Sequence, residues 1–133
     1  MTAAIPLIPE QPMLRPRILV IDDNVVLARS FARMLRNYET LVESDPQVAV
    51  ARICGGEAFD IVMCDLRMPV MSGIEVLQAI REHFTSGGGP HVIMMSGSDE
   101  LSTLELETPV LLKPCYSTEV RAMVKRLLES RSA

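Results

Sequence analysis

The sequence has few aromatic residues. They make up 4% of its 133 residues, and tryptophan is absent. Because apolar residues still account for 48% of the chain, a hydrophobic core must be built mainly from aliphatic side chains and methionine. That apolar share is typical of a globular protein, and the length corresponds to one domain of ordinary size.

Cysteine is also scarce. The three cysteines are odd in number, and no two of them form a C-x-x-C pair. This pattern predicts neither a disulfide framework nor a zinc site, and it favours a reducing compartment. The sequence has no apolar run long enough to span a membrane, and its first residues lack the features of a secretory signal. We therefore expect a cytoplasmic protein with no membrane partner.

Basic residues are not in excess. The 13 Lys and Arg residues face 17 Asp and Glu residues, which gives a net charge of −4. Non-specific binding to nucleic acid depends on clustered Lys and Arg. The charge balance therefore argues against a nucleic-acid partner.

Prolines are concentrated at the start of the chain, at positions 6, 9, 12 and 16. They predict an extended, flexible leader over residues 1–16, which leaves residues 17–133 as the folded domain.

The remaining sequence alternates between two hydrophobic patterns. Short apolar runs predict strands over 17–21, 40–43, 59–64, 91–95 and 110–112. Helical spacing predicts helices over 25–37, from 45 to about 55, over 73–84, and after a cap at Ser117. Only 17 positions separate Ser96 from Lys113, so the helix between the fourth and fifth strands should be shortened or irregular. The alternation predicts an α/β fold, a doubly wound five-stranded parallel sheet with helices on both faces.

Polar residues follow four of the predicted strands. Asp22 and Asp23 follow the first strand, Asp65 the third, Ser96 the fourth and Lys113 the fifth. Because the carboxyl ends of parallel strands meet at one edge of the sheet, these side chains should gather there. Three clustered carboxylates repel one another, and a single lysine offsets only part of that charge. A magnesium ion, which prefers oxygen ligands, would balance the rest.

The same residues supply the parts that phosphoryl transfer needs, which are a nucleophile, a cation and donors to the phosphoryl oxygens. Asp65 can act as the nucleophile without a general base, because a carboxylate is already ionised at neutral pH. Ser96 can donate a hydrogen bond to one phosphoryl oxygen, and Lys113 can pair with another.

Four segments in order resemble the receiver domains of two-component response regulators. They are Ile18–Asn24, with an acidic pair after a strand; Asp65–Gly73, with the pattern D-x-x-M-P-x-x-x-G; Val92–Gly97, with a hydroxyl and a small residue; and Leu111–Pro114, with a K-P pair. The resemblance extends from residue 17 to about residue 130. It implies a flavodoxin-like receiver fold of the stand-alone, single-domain type.

The resemblance also implies roles for individual residues. Asp65 would be phosphorylated by a histidine kinase or a phosphotransfer protein. Asp23, Asp65 and the backbone carbonyl of Arg67 would bind Mg²⁺ directly, and Asp22 would act mainly through a bound water. Ser96 would move toward the phosphoryl group and report its presence.

Further implications concern the whole protein. The bond between Lys113 and Pro114 would be cis. The protein would be a signalling phosphoacceptor rather than an enzyme, and it would exist as a monomer or weak dimer. Its output would be an interaction with an unknown downstream protein, because the sequence leaves no room for an output domain after residue 131.

One position departs from the family pattern. Val110 stands where family members commonly carry Tyr or Phe, so the usual coupling of a hydroxyl to an aromatic ring is in doubt. An adaptor that keeps the fold without phosphorylation therefore remains an alternative. Two enzyme classes fit less well. A haloacid dehalogenase-type phosphatase would need an Asp where Arg67 stands, and Asp22 and Asp23 would repel the phosphate of a flavin mononucleotide.

Overall fold

The computed structural model describes residues 15–97 and 106–132, with five strands and four helices in that part of the chain. The strands are β1 (Arg17–Ile21), β2 (Glu39–Glu43), β3 (Ile61–Asp65), β4 (His91–Ser96) and β5 (Val110–Leu112). The helices are α1 (Val25–Met34), α2 (Pro46–Cys54), α3 (Gly73–His83) and α4 (Ser117–Ser132). All paired strands are parallel, in the order β2-β1-β3-β4-β5. The predicted doubly wound α/β fold is confirmed.

The central strands β1, β3 and β4 are apolar between their terminal residues because both faces of the sheet are covered. Leu19 and Ile21 of β1 belong to one core cluster, which includes the buried side chains of α2 and α3. Ile18 and Val20 point the other way, into a second cluster with α1 and α4. The sheet therefore separates two helical layers, and only its edges are open to solvent.

Two element boundaries differ by two residues or more from those predicted. The helix α1 ends at Met34 rather than at residue 37. The strand β3 begins at Ile61 rather than at residue 59. A carboxylate oxygen of Asp60 accepts the backbone N–H of Arg17 at 2.8 Å. The side chain of Asp60 thus takes the donor that a strand partner would use, and the regular ladder starts at Ile61.

The helix starts follow capping rules. The carboxylate of Asp45 accepts the backbone N–H groups of Gln47 and Val48, which confirms the predicted start of α2. At α4 the predicted cap is wrong by one position. Ser117 is already the first helical residue, and the Glu119 side chain accepts the backbone N–H of Tyr116 at 3.0 Å. Glu119 thereby satisfies a donor that precedes the helix.

Two predictions concern segments outside the described residues. The shortened or irregular helix between β4 and β5 falls largely on residues 98–105, and most of the predicted leader falls on residues 1–14. Within the part of the chain that the structure describes, no helix is both long and apolar enough to cross a membrane.

Candidate functional site

The strand order brings acidic residues from two neighbouring strands to the same edge of the sheet. In the parallel register of β1 and β3, Ile21 pairs with Cys64, so the next residues, Asp22 and Asp65, lie side by side. Asp23 completes the group, and one carboxylate oxygen from each of the three residues lies within 4.8 Å of the others. The structure therefore brings together the three carboxylates that the sequence places at the ends of two different strands.

The three carboxylates differ in their exposure to solvent. Asp22 is 1% exposed and Asp65 is 9% exposed, whereas Asp23 is open to solvent. Asp22 Oδ1 accepts the backbone N–H of Asn24 at 3.0 Å, and the Asp22 N–H donates to the Glu43 carbonyl at 3.2 Å. These bonds fix the buried carboxylate of Asp22 and leave Asp23 accessible to a ligand.

Lys113 contacts both buried carboxylates. Its Nζ atom donates to Asp65 Oδ1 at 2.8 Å and to Asp22 Oδ2 at 3.3 Å. Its backbone N–H donates to the Ser96 carbonyl at 2.7 Å, which ties the end of β5 to the end of β4. The Lys113–Pro114 peptide bond is cis, as the family resemblance implies.

Burial and charge act in opposite directions on the pKa values of this pair. Burial raises the pKa of Asp65; the hydrogen bond and charge of Lys113 lower it, while the charges of Asp22 and Asp23 raise it further. The net result is a raised pKa for Asp65. Burial lowers the pKa of Lys113, but its hydrogen bond to Asp65 and the charges of both buried carboxylates outweigh that effect and raise it. The lysine is therefore held in its cationic form.

The other two predicted site residues lie next to this group. Ser96 is buried at the carboxyl end of β4, the strand between those that lead to Asp65 and Lys113. Arg67 is exposed in the loop two residues after Asp65. All of the predicted site residues thus belong to one edge of the sheet.

The loop after Asp65 returns to its strand at Gly73. The Gly73 N–H donates to the Leu66 carbonyl at 2.9 Å, and a Cβ atom at Gly73 would lie 2.5 Å from the Asp65 carbonyl oxygen and 2.7 Å from Met94 Sδ. Glycine is required here because the backbone approaches so closely. The packing of Gly73 therefore fixes the backbone that carries Asp65.

The residues of the site fit a hard divalent cation. With Lys113 protonated, Asp22, Asp23 and Asp65 leave a net charge of −2 at the edge of the sheet. All three carboxylates offer oxygen atoms, which Mg²⁺ and Ca²⁺ prefer as ligands. The exposure of Asp23 also leaves room for the waters that Mg²⁺ retains when it binds.

Sequence reasoning missed two polar anchors next to β5. Thr108 is buried, and its hydroxyl donates a short hydrogen bond to the Val92 carbonyl. The Arg81 guanidinium donates to the carbonyls of Leu106 and Glu107, both at 2.8 Å. These bonds attach the segment just before β5, residues 106–108, to β4 and to α3. A lone threonine before a proline gave no signal that could have revealed this role.

The chain matches the model of the response regulator receiver domain over residues 18–125. It belongs to the receiver domain family of response regulators. This assignment agrees with the acidic group and the lysine at the carboxyl edge of the sheet, and with the five-stranded parallel fold.

Curated relatives come from two-component signalling. The chain is 30% identical over 125 residues to the sensor histidine kinase TmoS of Ectopseudomonas mendocina. The aligned region covers 90% of this chain and 13% of that protein. It is 34% identical over 91 residues to a two-component response regulator of Oryza sativa subsp. japonica, covering 67% of this chain and 66% of the relative. The chain thus spans less than two thirds of either relative.

Solved structures share the fold. A response regulator receiver domain protein from Clostridium thermocellum superposes with a TM-score of 0.78 at 22% identity, covering 88% of this chain and 97% of that structure. A response regulator receiver protein from Sinorhizobium medicae gives a TM-score of 0.78 at 24% identity, with 90% and 98% coverage. The flavodoxin-like receiver fold expected from the sequence is confirmed.

Proposed function

We propose that this receiver domain accepts a phosphoryl group on Asp65 with the assistance of Mg²⁺, and that it signals through a protein partner. One observation carries the proposal. Asp65 is held 2.8 Å from Lys113 Nζ and shares its edge of the sheet with Asp22 and Asp23. A buried nucleophile with one cation and two further carboxylates is the set of groups that a metal-assisted phosphoryl acceptor requires.

The transfer is a displacement at phosphorus. A carboxylate oxygen of Asp65 attacks the phosphorus atom, and an oxygen–phosphorus bond forms to give an acyl phosphate. The bond between phosphorus and the donor breaks, and the donor's leaving atom, the imidazole nitrogen of a phosphohistidine, keeps the electron pair. Lys113 pairs with a phosphoryl oxygen, and the Ser96 hydroxyl donates to another.

Asp23, Asp65 and the backbone carbonyl of Arg67 are the groups that would hold Mg²⁺, with Asp22 acting through a bound water. When bound, the ion supplies positive charge that offsets the carboxylates and the incoming phosphoryl group. Lys113 alone leaves two of the three negative charges of the aspartates unbalanced, so the ion and the lysine act together.

The donor we propose is a histidine kinase or a phosphotransfer protein in the cytoplasm. Residues 17–133 would act as the receiver domain. The domain would work as a monomer or weak dimer, without binding nucleic acid or membrane, and as a phosphoacceptor rather than a turnover enzyme. Ser96 would respond to the phosphoryl group and alter the surface that a downstream protein contacts.

One observation favours the adaptor alternative. Val110 is half-buried and packs against a core cluster at the start of β5. A valine has no ring to exchange between inward and outward positions, and its χ1 angle is stiff. A receiver without this coupling could serve as a constitutive binding module.

Phosphorylation by a small-molecule donor distinguishes the two functions. The protein is incubated with acetyl phosphate, with Mg²⁺ or with a chelator, and its intact mass is measured. We expect a Mg²⁺-dependent gain of one phosphoryl group that Asp65→Asn abolishes and Glu82→Gln, a change at an exposed residue of α3, preserves. If the wild type gains no phosphoryl group and binds no Mg²⁺, the phosphoacceptor function is wrong and the adaptor function is favoured.

A further inference from the structure

The exposed surface of α1 and α4 is rich in cations. Across residues 25–38 the chain has no acidic residue. Arg29 and Arg33 lie one turn apart on α1, and Arg36 lies in the turn that follows the helix. All three are exposed. We use the term basic face for these residues together with the exposed cations beside them, which are Arg15, Arg121, Lys125 and Arg126.

The fold brings the two parts of the basic face together. The buried sides of α1 and α4 belong to the same core cluster on one face of the sheet. Arg121 Nε donates to the Met34 carbonyl at 2.9 Å, and Arg15 Nη2 approaches the Arg36 carbonyl at 3.5 Å. The carbonyls at the end of α1 carry partial negative charge, which helps to gather these guanidinium groups.

The charge of the basic face is not offset by ion pairs within residues 15–97 and 106–132. The ion pairs of that part of the chain involve Arg17, Arg52 and Lys113, none of which belongs to the basic face. The basic face holds seven of the 13 Lys and Arg residues, and α4 also exposes two acidic residues, Glu119 and Glu129. The other six Lys and Arg residues remain against the other 15 acidic residues. A protein of net negative charge therefore has a marked excess of positive charge on one face.

We propose that the basic face is a docking surface for an acidic segment of a partner protein, with carboxylates spaced along one side of a helix. Guanidinium groups bind carboxylates through two parallel hydrogen bonds. Six of the seven cations of the basic face are arginines, so a single carboxylate cannot pair with all of them. Arg29 and Arg33, four residues apart on α1, match carboxylates at i and i+4 on a partner helix, and Arg36 adds a third cation beyond the end of α1.

Two other polyanions fit this surface less well. A nucleic-acid duplex or a membrane extends beyond the basic face and meets the acidic remainder of the chain, including the cluster of Asp22, Asp23 and Asp65. Single-stranded nucleic acid is commonly bound by stacking on exposed aromatic rings. Among the large apolar side chains exposed in the described part of the chain, Tyr116 is the one aromatic. A short acidic protein segment avoids both problems.

This docking would not depend on phosphorylation, so it can be tested on the unphosphorylated, metal-free protein. The probe is a fluorescent helical peptide with glutamates at i, i+4 and i+7, and the matched probe is a peptide of the same composition in scrambled order. Fluorescence anisotropy gives the affinity for wild type, for Arg29→Gln with Arg33→Gln, and for Gln78→Glu with Ser86→Glu. The variant with Gln78→Glu and Ser86→Glu is the charge-matched control, because it changes the net charge by the same amount as the double arginine variant. Gln78 is an exposed residue of α3 and Ser86 an exposed residue just after it, in the opposite helical layer.

We expect the wild type to prefer the ordered peptide over the scrambled one, and its affinity to fall with added salt. The double arginine variant should bind the ordered peptide at least about tenfold more weakly than the charge-matched control. Equal binding of both peptides, or equal weakening of both variants, would overturn the proposal, because net charge alone would then explain the binding. Tighter binding to a DNA duplex or to anionic vesicles through the same arginines would also overturn it.

Discussion

Lys113 Nζ lies 2.8 Å from Asp65 Oδ1, and this pair joins the ends of two strands that are not neighbours in the sheet. The same ammonium group also reaches Asp22 at 3.3 Å. One cation therefore balances part of the charge of two buried carboxylates. We therefore expect Lys113 to stabilise the metal-free fold and, because it is a cation, to weaken the binding of Mg²⁺ to the same carboxylates.

Replacing Lys113 by alanine should separate those two effects. In the metal-free protein, the buried carboxylates lose their cation, and we expect the free energy of unfolding to fall by about 1–3 kcal/mol. The affinity for Mg²⁺ should rise, because the ion no longer competes with the ammonium group. Urea unfolding in chelator and calorimetric titration with Mg²⁺ measure the two quantities. Lys125→Ala, on the exposed side of α4, is the control; a weaker Mg²⁺ affinity in Lys113→Ala would contradict the account.

Asp23 is the exposed member of the acidic group, so it can be changed with little effect on folding. We expect Mg²⁺ to raise the melting temperature of the wild type, because the ion offsets the repulsion among the carboxylates. Asp23→Asn should weaken Mg²⁺ binding by about tenfold or more while it leaves the melting temperature in chelator nearly unchanged. Thermal melts over a Mg²⁺ series give both values. An unaltered Mg²⁺ response in the variant would exclude Asp23 as a ligand.

A methyl group at Gly73 should disturb the backbone of Asp65. The added Cβ would lie 2.5 Å from the Asp65 carbonyl oxygen and 2.9 Å from Leu66 Cα, so the backbone must shift. We expect Gly73→Ala to lower the free energy of unfolding by about 1–3 kcal/mol and to slow phosphorylation by acetyl phosphate. Gly97→Ala is the matched control for stability, since a Cβ there meets no atom within 4 Å. Similar stability losses in the two variants would show that the close approach at Gly73 is unimportant.

The ion pair between Glu57 and Arg52 predicts a pH dependence of stability far from the acidic group. The hydrogen bond from Arg52, opposed in part by burial, lowers the pKa of Glu57 from 4.5 to about 2. Because the folded protein holds this carboxyl in its charged form, the pair stabilises the fold fully above pH 4.5, and the contribution is lost as the pH falls through 2.

Thermal melts of the wild type and Glu57→Gln from neutral pH downward test this expectation. The wild type should be more stable near neutral pH, and the difference should disappear as Glu57 becomes protonated. Glu82→Gln controls for the loss of an exposed carboxylate. A difference between wild type and Glu57→Gln that persists unchanged to the lowest pH would show that the ion pair is not its source.

Much of the fold could be predicted because its central strands are uninterrupted apolar runs that are covered on both faces. The acidic group could be predicted for a related reason, since Asp22 and Asp65 follow two such strands directly. The start of β3 could not, because the Asp60 carboxylate competes with the backbone for the N–H of Arg17. Neither the hydrophobic pattern nor the strand propensity of the residues indicates whether a side chain or a backbone carbonyl accepts that N–H.

The basic face was also beyond prediction. A net charge of −4 argues against a cationic surface, and the arginines of α1 are far in sequence from the cations of α4. Only the packing of these two helices on the same side of the sheet brings the charges together. Composition measures the balance of charge over the chain, whereas binding depends on its distribution in space.

The identity of the phosphorylated residue is the most direct test of the central claim. After treatment with acetyl phosphate and Mg²⁺, borohydride reduction converts an aspartyl phosphate to homoserine, and mass spectrometry of proteolytic peptides locates that residue. The account predicts homoserine at Asp65 and unmodified Asp22 and Asp23, with no conversion when a chelator replaces Mg²⁺. Homoserine at Asp22 or Asp23, or equal conversion of Asp65 in chelator, would contradict it.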